Sequence, residues 1–168
     1  MPETLFLTHY QSPLGTYMLV SSQRGVVCVE LETHMAPRLA RWERDGIQIR
    51  DGNSHNHKVA DELDAYFTGH LRQFSVSLDL RGTEFQCRVW GLLQGIPYGE
   101  TRSYGQIAGA LDRPAASRAV GRAIGTNPVA IIVPCHRVIG ANGKLVGYGG
   151  GLDKKQALLN LEARVFTP

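Results

Sequence analysis

The segment SYGQIAGALDRPAASRAVGRAIG, residues 103–125, predicts two short helices joined by a tight turn. Ser103 and Gln106 have the spacing of a capping box at the start of the first helix. Asp112 is expected to cap the second helix, and Pro114 suits its first turn. Apolar residues recur at helical spacing in both helices: Tyr104, Ile107, Ala108 and Leu111, then Ala116, Ala119, Val120, Ala123 and Ile124. The pair indicates a helix-turn-helix motif.

The outer face of the second helix is suited to contact with a polyanion. At about 100° per residue, Arg118 points nearly opposite Val120, and Arg122 follows one turn later on the same face. The residues interleaved with these arginines are small: Ala115, Ser117 and Gly121. A single surface arginine is more often simply solvated. Two arginines on a face of small residues favour contact with nucleic acid.

Charge is distributed unevenly along the 168-residue chain. Residues 1–80 carry 7 Lys/Arg and 10 Asp/Glu, a net charge of −3, whereas residues 81–168 carry 11 and 5, a net charge of +6. Of the 19 glycines, 14 fall in the second half. A hydrophobic content of 43% excludes intrinsic disorder. We therefore predict two domains, residues 1–80 and residues 81–168, with the second facing a polyanion.

The first half has the pattern of a small α/β domain. Three β-rich runs separated by Gly and Pro turns predict an antiparallel meander; they span residues 5–10, 16–20 and 26–31. Residues 32–56 predict a long polar loop with a short helix over residues 37–44. A helix with Gly69 at its end follows; its apolar face comprises Val59, Leu63, Tyr66 and Phe67. Residues 74–80 alternate again and are expected to return to the sheet.

Outside residues 103–125, the second half is also mainly helical. A capping-box pattern at Thr83 opens a helix that ends before Pro97, and Asp153 opens the last helix. Residues 129–133 form a short apolar run of β character. The second half therefore predicts a mainly α domain.

The three cysteines are Cys28, Cys87 and Cys135. Their odd number and wide spacing argue against a disulfide framework and a metal site. Cys28 and Cys87 are expected to be small buried hydrophobic residues. Cys135 differs because His136 adjoins it and arginines are close in the chain; imidazole and positive charge lower a thiol's pKa and favour the nucleophilic thiolate. A Cys-His pair by itself leaves this role open.

A glycine-rich loop follows the Cys-His pair, at residues 147–151. It predicts either a flexible turn or a pocket wall of bare backbone, with Tyr148 as a stacking surface. The chain has no helix-opening G-x-G-x-x-G after a strand and no G-K-[ST]. Dinucleotide and nucleoside-triphosphate binding are therefore disfavoured.

Several motifs together resemble those of the methylated-DNA–protein-cysteine methyltransferases, the O6-alkylguanine-DNA alkyltransferases. They keep that family's order and spacing from about Thr83 to Glu162. The motifs are Ile96-Pro97-Tyr98-Gly99-Glu100-Thr101, Ser103-Tyr104, Ala116, Arg118-Ala119-Val120-Gly121, Asn127-Pro128, Pro134-Cys135-His136-Arg137-Val138, Tyr148-Gly149-Gly150-Gly151 and Glu162. The resemblance implies a ribonuclease-H-like α/β N-terminal domain with an antiparallel sheet and a mainly α, winged helix-turn-helix C-terminal domain.

The resemblance also implies a set of catalytic roles. Cys135 is expected to accept the alkyl group, while His136 takes the thiol proton through a water molecule and Glu162 orients the imidazole. Tyr104 is expected to donate a hydrogen bond to the guanine leaving group. Asn127 is expected to tie the helix-turn-helix motif to the active-site turn.

The same resemblance assigns residues to DNA and to the base pocket. Arg118 is expected to enter the base stack where the damaged nucleotide is flipped out. Further contacts in the DNA minor groove are expected from Ser103, Ala119, Gly121 and Arg122. The pocket is expected to include Pro134, Val138, Tyr148, Lys155 and the backbone N–H of Gly149.

The implied function is direct repair of O6-alkylguanine, and of O4-alkylthymine, in double-stranded DNA by a single-turnover reaction. We expect no cofactor, no metal, no membrane association and no obligate protein partner. Because Met1-Pro2-Glu3 lacks the positive start of a leader, we expect a monomer in the cytoplasm, associated with the nucleoid in a prokaryote. Three alternatives remain: a non-catalytic lesion-binding relative, a Cys-His hydrolase, and a transcription regulator that uses Cys135 as a sensor.

Overall fold

The computed structural model describes residues 1–52 and 54–164, so the parts of the predictions that fall on Asn53 and on residues 165–168 lie outside the described residues. The chain divides into two compact units, Met1–Leu80 and Arg81–Pro168. The strands are β1 Thr4–Ser12, β2 Gly15–Ser21, β3 Val26–Leu31, β4 Gln48–Asp51, β5 Arg102–Ser103 and β6 Val138–Ile139. The helices are α1 Ala36–Arg44, α2 Ser54–Phe67, α3 Glu84–Gln94, α4 Tyr104–Ala110, α5 Ser117–Gly125 and α6 Leu152–Arg164.

The first unit is built on a four-stranded sheet in the order β3-β2-β1-β4. The predicted meander is confirmed, because β2 pairs antiparallel with both β1 and β3. Buried apolar side chains cover one part of this sheet: Leu5, Met18, Val20, Val27, Cys28, Met35 and Trp42. Cys28 is fully buried there, as predicted, with its sulfur 3.8 Å from that of Met35.

The prediction of a long loop over residues 32–56 is wrong in part. The segment contains a 3₁₀ turn at Glu32–His34, the expected helix as α1, and the strand β4. β4 pairs parallel with β1, so the sheet is mixed rather than wholly antiparallel. All four residues of β4 are exposed. Backbone pairing alone holds this strand, and such pairing leaves no alternating pattern in the sequence.

The expected strand at residues 74–80 is also absent from the described sheet. The segment meets the sheet at a single parallel bridge between Val26 and Leu78. Two backbone hydrogen bonds flank the bridge, from Val26 N to Ser77 O and from Asp79 N to Val26 O, both 2.8 Å. A Cβ at Gly25 would lie 2.5 Å from the Ser77 carbonyl oxygen, so glycine is required for this close approach.

Helix α2 is joined to the sheet by one buried polar residue, Asn56. Its Nδ2 donates to the carbonyls of Phe6 (2.9 Å) and Leu19 (3.2 Å) and to Thr8 Oγ1 (3.2 Å). Its Oδ1 accepts from Ser21 Oγ at 2.6 Å. The side chain therefore satisfies groups of both β1 and β2 from one position. The predicted apolar face of α2 is confirmed, since Val59, Leu63 and Tyr66 are fully buried.

The second unit contains the predicted helix-turn-helix as α4 and α5, which pack against each other. The capping boxes at Thr83 and Ser103 are both formed. Trp90 of α3 is buried, and its Nε1 donates to the Ala123 carbonyl of α5 at 2.8 Å. Cys87, expected to be buried, is only half-buried on α3, with its sulfur 3.8 Å from the Gly82 carbonyl oxygen.

Two local predictions in this unit are wrong. Asp112 does not cap the second helix: it has a positive φ of 56°, and a 3₁₀ turn at Pro114–Ala116 precedes α5. Residues 129–133 form a buried turn and are not part of the β5–β6 sheet. Bonds from Ile132 N to Ala130 O and from Val133 N to Val129 O satisfy the backbone locally. A short apolar run reports burial and does not distinguish a strand from such a turn.

We expect Asn56→Ala to destabilise the first unit by about 2–3 kcal/mol, because it leaves several buried acceptors and the Ser21 hydroxyl without their partner. Urea unfolding at neutral pH measures the change in free energy. His57→Ala, at an exposed position of the same helix, is the matched control and is expected to change stability by less than about 0.5 kcal/mol. Equal stability of the two variants would contradict the anchoring role of Asn56.

Candidate active site

The candidate nucleophile lies on a short 3₁₀ turn, Cys135–Arg137, whose three residues are all buried. Asn127, which follows α5, ties the preceding segment to it: its Nδ2 donates to the Val133 carbonyl at 2.8 Å, and its Oδ1 accepts from Val129 N at 3.0 Å. The parallel pairing of β5 with β6 places the start of α4 beside the residues that follow the turn. The helix-turn-helix and the cysteine therefore belong to one connected framework.

His136 and Glu162 form a buried pair directly beside Cys135. The distance between His136 Nε2 and Glu162 Oε1 is 2.7 Å, and the two side chains are 0% and 1% exposed. Burial lowers the pKa of His136, although Glu162 opposes this effect. Hydrogen bonds from His136 and Arg137 hold the pKa of Glu162 at about 2 despite its burial. The pair therefore consists of a carboxylate and a neutral imidazole.

The identity of the two partners fixes the tautomer of this imidazole. A carboxylate only accepts hydrogen bonds, so the proton of His136 lies on Nε2 and its Nδ1 carries a lone pair. Among the described residues, Nδ1 has no hydrogen-bond partner although it is buried. His136 therefore presents an unused proton acceptor next to the thiol.

Arg137 is a site residue that the sequence analysis missed. It is 6% exposed, and its Nε and Nη2 donate to Glu162 Oε2 and Oε1, both at 2.9 Å. Its Nη1 donates to the Ile96 carbonyl at 2.7 Å, and its guanidinium lies 5.6 Å from the centroid of the Tyr98 ring. The available signal was a charged residue within a long run of apolar ones, because an arginine there must be paired.

Lys155 of α6 is completely buried and connects two backbone segments of the expected pocket. Its Nζ donates to the carbonyls of Val138 (2.6 Å), Val146 (3.2 Å) and Gly147 (3.2 Å). Burial lowers the pKa of Lys155, and the negative charge of a Cys135 thiolate opposes this effect. The ammonium thus stabilises both the loop and any anion that forms at Cys135.

Tyr104, the expected hydrogen-bond donor to the base, lies at the first position of α4. Its hydroxyl donates to the Val146 carbonyl at 2.7 Å. Burial raises the pKa of Tyr104, with a smaller contribution from Cys135, so the phenol keeps its proton at neutral pH. A Cβ at Gly121 of α5 would lie 3.8 Å from this ring, which places the ring against α5.

The glycine-rich loop supplies backbone with few side chains. Gly151 N donates to the Tyr148 carbonyl at 3.0 Å, and Gly151 has a φ of +99°, which favours glycine. Tyr148 is half-buried and Gly149 is exposed. Of the other residues expected in the pocket, Pro134 and Val138 are buried.

The outer face of α5 agrees with its predicted orientation. Arg118 and Arg122 are exposed, whereas Val120 is fully buried. Ala119 and Ser103, which are expected to contact DNA, are half-buried. The helix therefore presents two guanidinium groups on a surface of small side chains.

Two further observations concern the described part of the chain. Within residues 1–52 and 54–164, no group of three or more His, Cys, Asp or Glu side chains is placed to hold a metal ion. No helix among those residues is both long and apolar enough to cross a membrane.

Comparison with known proteins connects this geometry to one family. Residues 5–80 match the ribonuclease-like domain of 6-O-methylguanine DNA methyltransferase, and residues 84–164 match its DNA-binding domain. The methylated-DNA–protein-cysteine methyltransferase of Mycobacterium tuberculosis is 68% identical over 162 residues, covering 93% of each chain. That of Methanosarcina acetivorans is 45% identical over 162 residues, covering 94% of this chain and 98% of the relative.

Solved structures give the same result. The crystal structure of the M. tuberculosis O6-methylguanine methyltransferase superposes with a TM-score of 0.84, covering 95% of this chain and 93% of that one, with 47% identity among the paired residues. A structure of the M. tuberculosis protein in complex with DNA superposes with a TM-score of 0.82, covering 96% and 94% of the chains with 46% identity. The predicted fold class, a sheet-containing N-terminal domain and a helical DNA-binding domain, is confirmed.

We expect Glu162→Gln to destabilise the protein by about 3 kcal/mol or more at pH 7, because it leaves the buried Arg137 guanidinium without its counter-charge. The pKa of Glu162 is lowered to about 2, so its ionised form contributes stability that is complete above about pH 4.5 and is lost as the pH falls toward 2. The destabilisation should therefore shrink between pH 7 and pH 3.5. Urea unfolding at both values measures it.

The control for this variant is Glu100→Gln, which removes a surface ion pair with Arg102. It should cost less than about 1 kcal/mol. A loss of stability in Glu162→Gln that matches this control at pH 7 would contradict the buried network.

Proposed function

The chain belongs to the methylated-DNA–protein-cysteine methyltransferase family of DNA-repair proteins, and from this premise we propose that it transfers the alkyl group of O6-alkylguanine in DNA irreversibly to its own Cys135. The observation that carries the proposal is the unused acceptor Nδ1 of His136, buried beside Cys135 and oriented by Glu162. This arrangement has the nucleophile, base and orienting carboxylate of covalent catalysis.

The proposed reaction is a displacement at the alkyl carbon. His136 takes the thiol proton through a water molecule, and the Cys135 sulfur forms a bond to carbon while the bond from that carbon to guanine O6 breaks. The electron pair of the broken bond goes to guanine, which regains a proton and remains in the DNA. The product is a neutral thioether at Cys135. Because no step of this reaction regenerates the thiol, each molecule acts once.

The residues around the cysteine are proposed to bind the extruded base. Tyr104 donates to the guanine ring as negative charge develops there, exchanging its present bond to the Val146 carbonyl. The backbone of Cys135, Val138 and Gly149 lines the pocket, and Lys155 keeps its two sides together. O4-alkylthymine is a second substrate in this proposal.

The α5 face is proposed to contact double-stranded DNA in the minor groove. The exposed Arg118 enters the stack when the damaged nucleotide rotates out, which offsets part of the flipping cost. The small residues beside it permit close approach, and the net charge of +6 on residues 81–168 supplies attraction to phosphate. We also propose that the protein works in the cytoplasm, as a monomer on nucleoid DNA.

Incubation with a duplex oligonucleotide that contains O6-methylguanine should add about 14 Da, one methyl in place of one hydrogen, to Cys135 of each molecule. Intact mass and peptide mass spectrometry measure the gain and its position. Cys135→Ser should show none, whereas Cys87→Ser should react as the wild type does. Absence of the adduct under conditions where the duplex is bound would overturn the proposed function.

Arg118→Ala should react with duplex substrate at least about tenfold more slowly, because base flipping costs a few kcal/mol and the side chain no longer fills the gap. Its reaction with free O6-benzylguanine should be unchanged, since no base is flipped in that case. Single-turnover rates with both substrates give the comparison. Arg88→Ala, which removes an exposed arginine of α3, is the control for charge alone. An equal loss on both substrates would refute the flipping role.

A further inference from the structure

Three ionisable side chains in the buried site share one carboxylate. Glu162 Oε1 accepts from both His136 Nε2 (2.7 Å) and Arg137 Nη2 (2.9 Å), and Oε2 accepts from Arg137 Nε (2.9 Å). The three side chains are between 0% and 7% exposed, so solvent does not screen their charges. Their protonation states are therefore coupled through Glu162.

The charges of this cluster balance only when His136 is neutral. One guanidinium and one carboxylate then compensate each other, as a buried ion pair requires. A proton on His136 would add an uncompensated positive charge in a site that water does not reach. The other charged groups facing the imidazole are Lys155, from α6, which opposes protonation further, and Cys135, which carries charge only as a thiolate.

We propose that Arg137 is the counter-charge that keeps His136 neutral, with its proton on Nε2, so that Nδ1 is available to accept the thiol proton. The inference rests on the proposed function for its catalytic consequence. Arg137 touches neither substrate nor the reacting atoms; its fork is fully used on Glu162 and on the Ile96 carbonyl. It is a positioning residue, and its effect on the reaction passes through His136.

Without the guanidinium, the cluster would balance in a different way. The Glu162 carboxylate would then be compensated by an imidazolium, so His136 would hold a second proton at neutral pH. An imidazolium has no lone pair, and the Cys135 proton could leave only to solvent. The proton-accepting function of His136 therefore depends on the positive charge of its neighbour in the sequence.

The test compares Arg137→Gln, which removes the charge, with Arg137→Lys, which keeps it but loses the planar fork. The state of His136 is followed by ¹⁵N NMR of the imidazole between pH 5 and pH 9 in the absence of DNA, with its signals identified by their loss in His136→Gln. The control is Arg41→Gln, at an arginine with a 75% exposed side chain in the first unit.

In the wild type, Arg137→Lys and Arg41→Gln, His136 should be neutral at pH 7 with the proton on Nε2. In Arg137→Gln, it should be protonated at pH 7, with a titration midpoint at least about one pH unit above the wild-type value. The acid limb of the rate of Cys135 alkylation should shift by the same amount, so that the reaction at pH 7 slows about tenfold or more.

A wild-type His136 that is protonated at pH 7, or that carries its proton on Nδ1, overturns the inference without any variant. So does an unchanged titration in Arg137→Gln, or a protonated His136 in Arg137→Lys; the latter carries the comparison if Arg137→Gln does not fold. These readouts need no DNA. A neutral Nε2–H tautomer in a protein that gains no mass at Cys135 would contradict the proposed function alone.

Discussion

The carboxylate of Glu162 is the interaction on which the second unit depends. It lies on α6, and it accepts hydrogen bonds from His136 and Arg137 of the active-site turn and from the backbone N–H of Gly99 at 3.3 Å. Arg137 extends the same network to the Ile96 carbonyl, in the segment that follows α3. Three segments distant in the sequence therefore meet at one buried anion. A charge at this depth is tolerated only when it is fully paired, so each segment is constrained by the other two.

The same framework couples DNA reading to chemistry. Tyr104 begins α4 of the helix-turn-helix, its ring lies against α5 at Gly121, and its hydroxyl bonds the Val146 carbonyl. Lys155 bonds that carbonyl as well and also holds Val138, which directly follows the active-site turn. The helix that carries Arg118 is thus connected to the turn that carries Cys135 through a short path of direct contacts. In a rigid framework of this kind, the position of a base extruded beside α5 is also its position relative to the thiol.

What the sequence could predict follows from how locally each feature is encoded. The capping boxes at Thr83 and Ser103 and the orientation of Arg118 depend on spacing within one helix, and the structure has them as expected. Strand β4 is held by backbone pairing with all its side chains exposed, so no pattern marked it. Residues 129–133 are apolar because they are buried, and burial alone did not identify a turn. The motifs predicted which residues belong to the site, but Arg137 was missed because its role depends on Glu162, 25 positions further along the chain.

Burial of the site also determines how a reagent that acts once can persist before it meets its substrate. Cys135 is 8% exposed, so an electrophile in solution has little access to its sulfur. His136 is neutral at rest and its Nδ1 lone pair is unused, so the thiol can keep its proton until a substrate is bound. An extruded base in the pocket would then supply both the electrophilic carbon and the exclusion of solvent that strengthens each hydrogen bond to the leaving group. Selectivity in a single-turnover protein of this kind arises from the coincidence of DNA contact, base extrusion and proton transfer, rather than from a thiolate that is permanently exposed.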